Sequence, residues 1–255
     1  IPMFPFHTWL PDAHVEAPTG GSVILAGILL KMGTYGFLRF AIPLFPSALK
    51  FYLPFLISLS LVGIIYGALL ALAQTDLKKL VAYSSISHMG LVMLGLLMLN
   101  TNGVTGSIFQ MLCHGLSTGA LFLLVGMIYE RRHTRDILQF GGLTKAMPLF
   151  AIFFLIVSLS SIALPLTNGF IGEFLILMGA FESHPIYATL GGTTTILGAY
   201  YMLRMYQKVM LGPIHHEENR KLTDLTVKEI GVLLPILLFI FWMGIYPQPF
   251  LRKME

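Results

Sequence analysis

Cysteine is almost absent from this sequence, since Cys113 is the only one among 255 residues. A single cysteine excludes an intrachain disulfide and a cluster of thiolate ligands around a metal ion. The eight histidines follow neither the HExxH spacing nor a Cys/His ligand spacing, and there is no glycine-rich phosphate loop. We therefore expect no metal, redox centre or nucleotide site in this chain.

Charged residues are also scarce, at 11% of the chain against 56% hydrophobic residues, and the mean hydropathy is +0.79. A soluble domain of this size cannot hide so much apolar surface, so lipid is the expected solvent. Strand-like alternation is missing, which favours an all-α integral membrane fold. A spanning helix needs about 20 mostly apolar residues. Such runs predict about seven transmembrane helices, at 20–41, 51–73, 80–99, 104–129, 187–211 and 228–247 and in an interrupted stretch over 147–182.

The positive charges lie unevenly between the connections of these predicted helices. Most lysines and arginines fall in the connections after the second, fourth and sixth helices. The positive-inside tendency predicts that this side faces the cytoplasm or the mitochondrial matrix and that the C-terminus lies on the other side. Because the charges are divided among short connections, a nucleic-acid partner is not expected.

Lys31 lies about midway along the apolar segment 21–38. A lysine at this depth costs roughly 2.5 to 3.5 kcal/mol on insertion scales. Snorkelling towards the nearer membrane surface is the alternative, but Arg39 already serves that end. Gly27 at i−4 and Thr34 at i+3 put space and polarity on the helical face of the lysine. We therefore favour a functional role for Lys31.

Two histidines lie on consecutive predicted helices, each within a polar stripe. His88 follows Ser84 by one helical turn, and His114 has Gln110 and Ser117 on its face. A lone buried histidine is more often a satisfied core residue than a relay. Two of them with hydroxyl-rich faces favour a hydrated path.

A proline and two glycines interrupt the membrane segment directly before Glu173. Pro165 removes a donor, and Gly169 and Gly172 permit an unwound turn and close backbone approach. Freed backbone groups at membrane depth must be satisfied by protein or water, so a broken helix near 165–173 predicts a cavity beside Glu173. The alternative is a surface loop between two short helices, but the apolar run on each side is too short to span alone.

Taken together, several segments resemble the antiporter-like subunits of NADH:quinone oxidoreductase, respiratory complex I. They occur in the order of that family from residue 5 to residue 174. The segments are PFHTWLPDAH at 5–14, EAPT at 16–19, LLKMGTYG at 29–36, SSISHMG at 84–90, HGLS at 114–117 and GFIGEF at 169–174.

Within that family, a lysine in the third segment and a glutamate in the last one are similar to the subunit M group, called subunit 4 in mitochondria. The resemblance implies an antiporter-like fold of inverted repeats, each with one broken helix. It makes residues 1–41 the end of the first repeat and 51–211 the second repeat. Residues 212–255 are then a polar loop and a final transmembrane helix.

The resemblance implies a subunit that moves protons across the mitochondrial inner membrane or the bacterial plasma membrane while quinone is reduced elsewhere in the complex. Lys31 is the candidate for the central proton carrier, because a desolvated ammonium changes its proton affinity readily. His88 and His114 would link Lys31 to a second half-channel. Glu173 would pass the proton to the far side or to the next subunit.

NADH, FMN, iron–sulfur clusters and quinone are expected on partner subunits. The expected partners are other membrane-arm subunits, above all neighbouring antiporter-like ones, and the lipid bilayer. The sequence starts at Ile1 without an initiator methionine, a basic n-region or a signal cleavage motif. The missing N-terminal half of the same subunit, with the family's earlier lysine and glutamate, is therefore a further expected partner. A split gene, a processed product and a truncated chain would each look like this.

Two alternatives stay open. A multisubunit cation/proton antiporter shares the fold and needs no NADH or quinone partner. A structural membrane subunit without a transport role would tolerate the loss of Lys31 and Glu173.

Overall fold

The computed structural model describes residues 2–254, which are mainly helical and contain no β-strand. Ile1 and Glu255, the outer limits of the predicted segments 1–41 and 212–255, lie outside the described residues. Short 3-10 turns lie at Ile137–Gln139 and Leu143–Lys145. The helices are α1 (Trp9–Glu16), α2 (Thr19–Leu44), α3 (Pro46–Ala73), α4 (Leu77–Leu97), α5 (Thr101–Arg132), α6 (Pro148–Ser161), α7 (Asn168–Ser183), α8 (Pro185–Met210), α9 (Glu217–Arg220), α10 (Val227–Ile245) and α11 (Gln248–Leu251).

A helix lies at each predicted membrane segment, but the described residues contain five candidate spans instead of about seven. Among the described residues, α2, α3, α4, α5 and α10 are long and apolar enough to cross a membrane, and α6 is a shorter apolar helix. The interrupted stretch predicted over 147–182 consists of α6 and α7, and α8 covers the predicted helix at 187–211. The prediction of an all-α integral membrane fold is confirmed. The division into repeats stays a prediction.

Helix α4 is the centre of the bundle, with α1, α3, α5, α7 and α8 in contact with it. In an apolar stretch of 18 residues within α4, 94% of the residues are buried, whereas only 22% are buried in the corresponding stretch of α2. Gly67 and Gly90 let α3 and α4 pack closely, since a β-carbon at either position would press on the backbone of the other helix. Because few of its residues are buried, helix α2 lies at the edge of the bundle with one side open.

Polar caps determine where the site-bearing helices begin. Asp76 accepts hydrogen bonds from the backbone N–H groups of Lys78 and Lys79, at 2.7 and 3.0 Å, at the start of α4. Asn100 caps α5 in the same way, and each of these two caps contributes about 1 kcal/mol. At the start of α6, Asp224 from a distant segment accepts from the N–H groups of Leu149 and Phe150.

The predicted break lies between α6 and α7, at residues 162–167. Ala163 and Leu166 adopt positive φ angles of 58° and 76°. Helix α10 closes over the break, because Gly244 lies against the backbone of Leu166 with no room for a β-carbon. Protein therefore covers part of the interrupted backbone, as the membrane requires.

The prediction of an unwound turn at Gly169 and Gly172 is wrong, since both residues lie within α7. Their role is close packing. A β-carbon on Gly169 would meet the carbonyl of Ser160, and one on Gly172 would meet Gln110 of α5. The two glycines bring α7 against α6 and α5, and this contact places Glu173 in the interior.

Candidate functional site

Lys31 contacts His114 directly. Its Nζ lies 2.6 Å from His114 Nδ1 and donates to the carbonyl of Ala26 at 2.5 Å. A π-helical turn at Leu25–Leu29 ends two residues before the lysine, and such turns are frequent at functional sites. Gly115 lets α5 approach the α2 backbone closely. The amine therefore points into the bundle, which is not the geometry of snorkelling.

His114 and His88 lie side by side without a direct hydrogen bond. Their ring centroids are 5.6 Å apart and the rings are tilted by 57°. Both side chains are buried, and His114 Nε2 has no hydrogen-bond partner within residues 2–254. A small cavity lies beside the rings and is bordered also by Ser117 and Ser160. The centre of a water molecule can occupy about 10 Å³ of it. That is about the room one water needs.

Glu173 is 3% exposed and lies next to His88. Its Oε1 is 3.3 Å from His88 Nδ1 and accepts from Gln110 Nε2 at 3.4 Å. Its Oε2 accepts from the hydroxyl of Thr195 at 3.3 Å. The hydroxyl of Tyr201 lies 3.4 Å from the other ring nitrogen of His88. A buried carboxyl group needs such partners, because an unpaired charge in the interior is costly.

The four predicted site residues thus form a single row that runs from α2 through α5 and α4 to α7, in which His114, His88 and Glu173 are buried and Lys31 is half-buried. We call Lys31, His114, His88 and Glu173, in this order, the buried row. Their part in proton movement stays a prediction.

Some expected details differ. The small cavity borders the two histidines and the break, rather than Glu173. The hydroxyl of Ser84 donates to the carbonyl of Val81 at 2.8 Å, inside its own helix. The Thr34 hydroxyl lies 3.0 Å from the carbonyl oxygen of Lys31 and 2.7 Å from Met111 Sδ, and its single proton faces these two acceptors instead of the lysine amine.

Sequence reasoning missed the contributions of α8 and of the α7 start. Thr195 and Tyr201 bind the row from α8. Asn168 Oδ1 accepts from the hydroxyl of Ser160 at 2.7 Å and joins α7 to α6 across the break. The sequence signal for these contributions is that Thr195, Tyr201 and Asn168 are polar residues within apolar segments. Within residues 2–254, no group of three histidine, cysteine or acidic side chains is placed to hold a metal ion.

On the other side of Lys31 lies a large apolar groove. It is bounded by α2, α5, α10 and α11 and has about 770 Å³ open to water-sized spheres. Met32 and Tyr35 on α2 line it, and both are more than half exposed. The lysine therefore stands between the enclosed row and this open groove.

The family model described as NADH:quinone oxidoreductase/Mrp antiporter, transmembrane, matches residues 1–198. The chain belongs to this family. Membership confirms the resemblance to antiporter-like subunits and agrees with the apolar helices of a membrane protein.

Curated relatives within the family are about half identical to this chain. The "NADH-ubiquinone oxidoreductase chain 4" of Marchantia polymorpha is 51% identical over 100% of this chain and 52% of its own length. The "NADH-quinone oxidoreductase subunit M" of Rickettsia prowazekii is 52% identical over 98% of this chain and 51% of its own length. The chain therefore spans about half the length of the curated relatives it matches.

Solved structures share the fold. A chain of the respiratory complex I of Thermus thermophilus has a TM-score of 0.93 and 37% identity, over 99% of this chain and 53% of its own length. A chain of the Mrp complex from a Dietzia species has a TM-score of 0.90 and 20% identity, over 99% of this chain and 55% of its own length. At that identity the second match shows the fold alone.

Proposed function

We propose that this chain is the C-terminal half of a proton-translocating membrane-arm subunit of NADH:quinone oxidoreductase, of the subunit M or chain 4 type. The membrane is the mitochondrial inner membrane or the bacterial plasma membrane. Identity of 51–52% to proteins of those names supports the subunit type. The buried row carries the proposal, because a line of ionisable groups across apolar helices is the usual mark of a proton path.

Each member of the row can pass a proton to the next. The Lys31 amine can give a proton to His114 Nδ1 at 2.6 Å, and imidazole can release another from its second nitrogen. One water in the small cavity would bridge His114 and His88, and His88 Nδ1 faces Glu173 at 3.3 Å. Because a nearby charge changes the proton affinity of its neighbour, loading one member promotes release from the next.

Electron transfer takes place elsewhere in this proposal. NADH, FMN, iron–sulfur clusters and quinone belong to partner subunits, and neighbouring antiporter-like subunits continue the proton path. The other half of the same subunit is proposed to cover the exposed side of α2 and the apolar groove. Support comes from the low burial of α2, at 22% of its apolar stretch, and from relatives of about twice this length.

A variant of His114 tests the proposal in the full-length subunit within its complex. His114→Phe keeps a flat ring but removes both nitrogens, so NADH-driven proton uptake by membrane vesicles should fall to less than about a tenth of the parent. His215→Phe, at an exposed loop position, is the matched control. Parent-like pumping by an assembled His114→Phe complex would refute the proton row.

The multisubunit cation/proton antiporter remains the second candidate, because the Mrp chain shares the fold at a TM-score of 0.90. Purification separates the two functions. Co-migration with flavin and iron–sulfur subunits supports the complex I assignment. Their absence, together with sodium-dependent proton flux, would support the antiporter.

A further inference from the structure

A second cavity opens between the ends of α3 and α8 and the start of α4. This end of the bundle carries the connections that hold most of the lysines and arginines, and we call it the Lys/Arg-rich end. We call the cavity the vestibule. It has about 170 Å³ open to water-sized spheres, enough for several waters. Gln74, Arg204 and Lys208 line it among apolar side chains. Both charged residues are exposed, so the vestibule opens at the surface of this chain.

Tyr201 lies at the inner end of the vestibule. Its side chain is 2% exposed, it lines the vestibule, and its hydroxyl is 3.4 Å from His88 Nε2. Arg204 and Lys208 follow it along α8 at i+3 and i+7, which places all three on one helical face. This face leads from the aqueous end directly to the buried row.

We propose that Tyr201 connects the vestibule with His88, so that the buried row exchanges protons with the Lys/Arg-rich side through this phenol. The inference rests on the proposed function and adds its access route. A hydronium ion in the vestibule gives a proton to the phenol oxygen while the phenol proton moves to His88 Nε2. The hydronium becomes water, the imidazole becomes imidazolium and the tyrosine stays neutral. The reverse transfer uses the same atoms.

The vestibule suits protons better than metal cations. None of the described residues that line it has a carboxylate, and Arg204 and Lys208 place positive charge there. A sodium ion therefore finds no anionic ligand there, whereas a proton can pass along water and a hydroxyl group.

Tyr201→Phe in the full-length subunit tests the route, because it removes only the hydroxyl. We expect assembled complex with NADH-driven proton uptake lowered by on the order of tenfold. Tyr206→Phe is the control, since Tyr206 is a buried tyrosine of the same helix whose hydroxyl donates to the carbonyl of Ala151 at 3.2 Å. That variant should pump within about twofold of the parent.

The outcomes separate the two proposals. If Tyr201→Phe pumps like the parent while Lys31→Met does not, the route through Tyr201 is wrong and the proposed function stands. If both variants pump like the parent, the proposed function itself fails.

Blocking the vestibule provides an independent readout. A cationic thiol reagent added from the Lys/Arg-rich side should inhibit Gln74→Cys. The native Cys113 is buried. Lys221→Cys, in an exposed loop and outside the vestibule lining, should be labelled without inhibition. Full labelling of Gln74→Cys with unchanged pumping would overturn the inference.

Discussion

The two ends of the buried row are held in opposite ways. Lys31 makes short contacts, at 2.5 and 2.6 Å, but lies on the least buried spanning helix and beside an open groove. Glu173 is enclosed on all sides, yet its three polar contacts are longer, at 3.3 to 3.4 Å. The lysine end of the row thus has short polar contacts and lies beside an open groove. The glutamate end has longer polar contacts and is enclosed by protein.

The difference indicates separate roles for the two ends. A helix at the edge of the bundle can shift when a neighbouring element moves, so the Lys31 contact suits a point of control. A closed carboxyl group with three partners can keep its position while its charge changes. Removal of the Lys31 amine should therefore cost most of the pumping, whereas substitutions around Glu173 should act by degrees.

Lys31→Met should have the largest effect. Methionine keeps much of the volume of the stem and removes the proton site, so pumping should fall to less than about a tenth of the parent in an assembled complex. Arginine releases protons far less readily and should also impair turnover. Lys50→Met, at an exposed position, should be neutral. Normal pumping by Lys31→Met, measured in vesicles, would remove the central role of the lysine.

Glu173→Gln should come next. Glutamine preserves the shape and ends the change between charged and neutral forms, so pumping should fall strongly, while Glu173→Asp keeps the chemistry and should retain a larger share. Glu182→Gln, at an exposed carboxylate, is the control. Assembly is checked on native gels and pumping as protons taken up per NADH oxidised. Equal pumping by the glutamine variant and the parent would make Glu173 a structural residue.

Gly172→Ala should perturb the closed end through packing alone. The added β-carbon would press on Gln110, and such overpacking typically costs about 1 to 3 kcal/mol. Gly192→Ala lies on α8, where an added β-carbon has open space, and should be neutral. Thermal stability of the assembled complex measures both. Equal stability of the two variants would show that α7 does not depend on this close approach.

Thr195→Val should give the smallest effect. It removes one of three contacts of Glu173, a hydrogen bond of 3.3 Å, so pumping should fall by about twofold to fivefold. Thr193→Val is its control, because the Thr193 hydroxyl donates to the carbonyl of Leu190 instead. A Thr195→Val effect as large as that of Glu173→Gln would show that the closed end depends on this one bond.

The parts of the site that could be predicted are those where a residue conflicts with lipid. A lysine amid an apolar helix and a carboxylate after a proline each imply a local cost, and both residues lie in the row. A local cost of this kind does not predict which of these residues contact each other. That Lys31 meets His114 depends on close packing at Gly115, which only the assembled bundle shows.

The missed parts depend on contacts between distant segments. Tyr201 and His88 are 113 residues apart, and no local pattern on α8 points to α4. The break lies before the two glycines instead of at them, and it too depends on packing between distant segments. Positive φ angles occur instead at Ala163 and Leu166, residues that rarely adopt this conformation without support from their surroundings.

The central claim is that the row is a single path in series, and a double variant tests it most directly. Lys31→Arg and Glu173→Asp are each expected to leave measurable NADH-driven proton uptake. In a series path the slower step determines the rate, so the double variant should pump about as fast as the slower single variant. A double variant whose rate falls to the product of the two residual fractions would mean that the residues act independently, and this result would contradict the account.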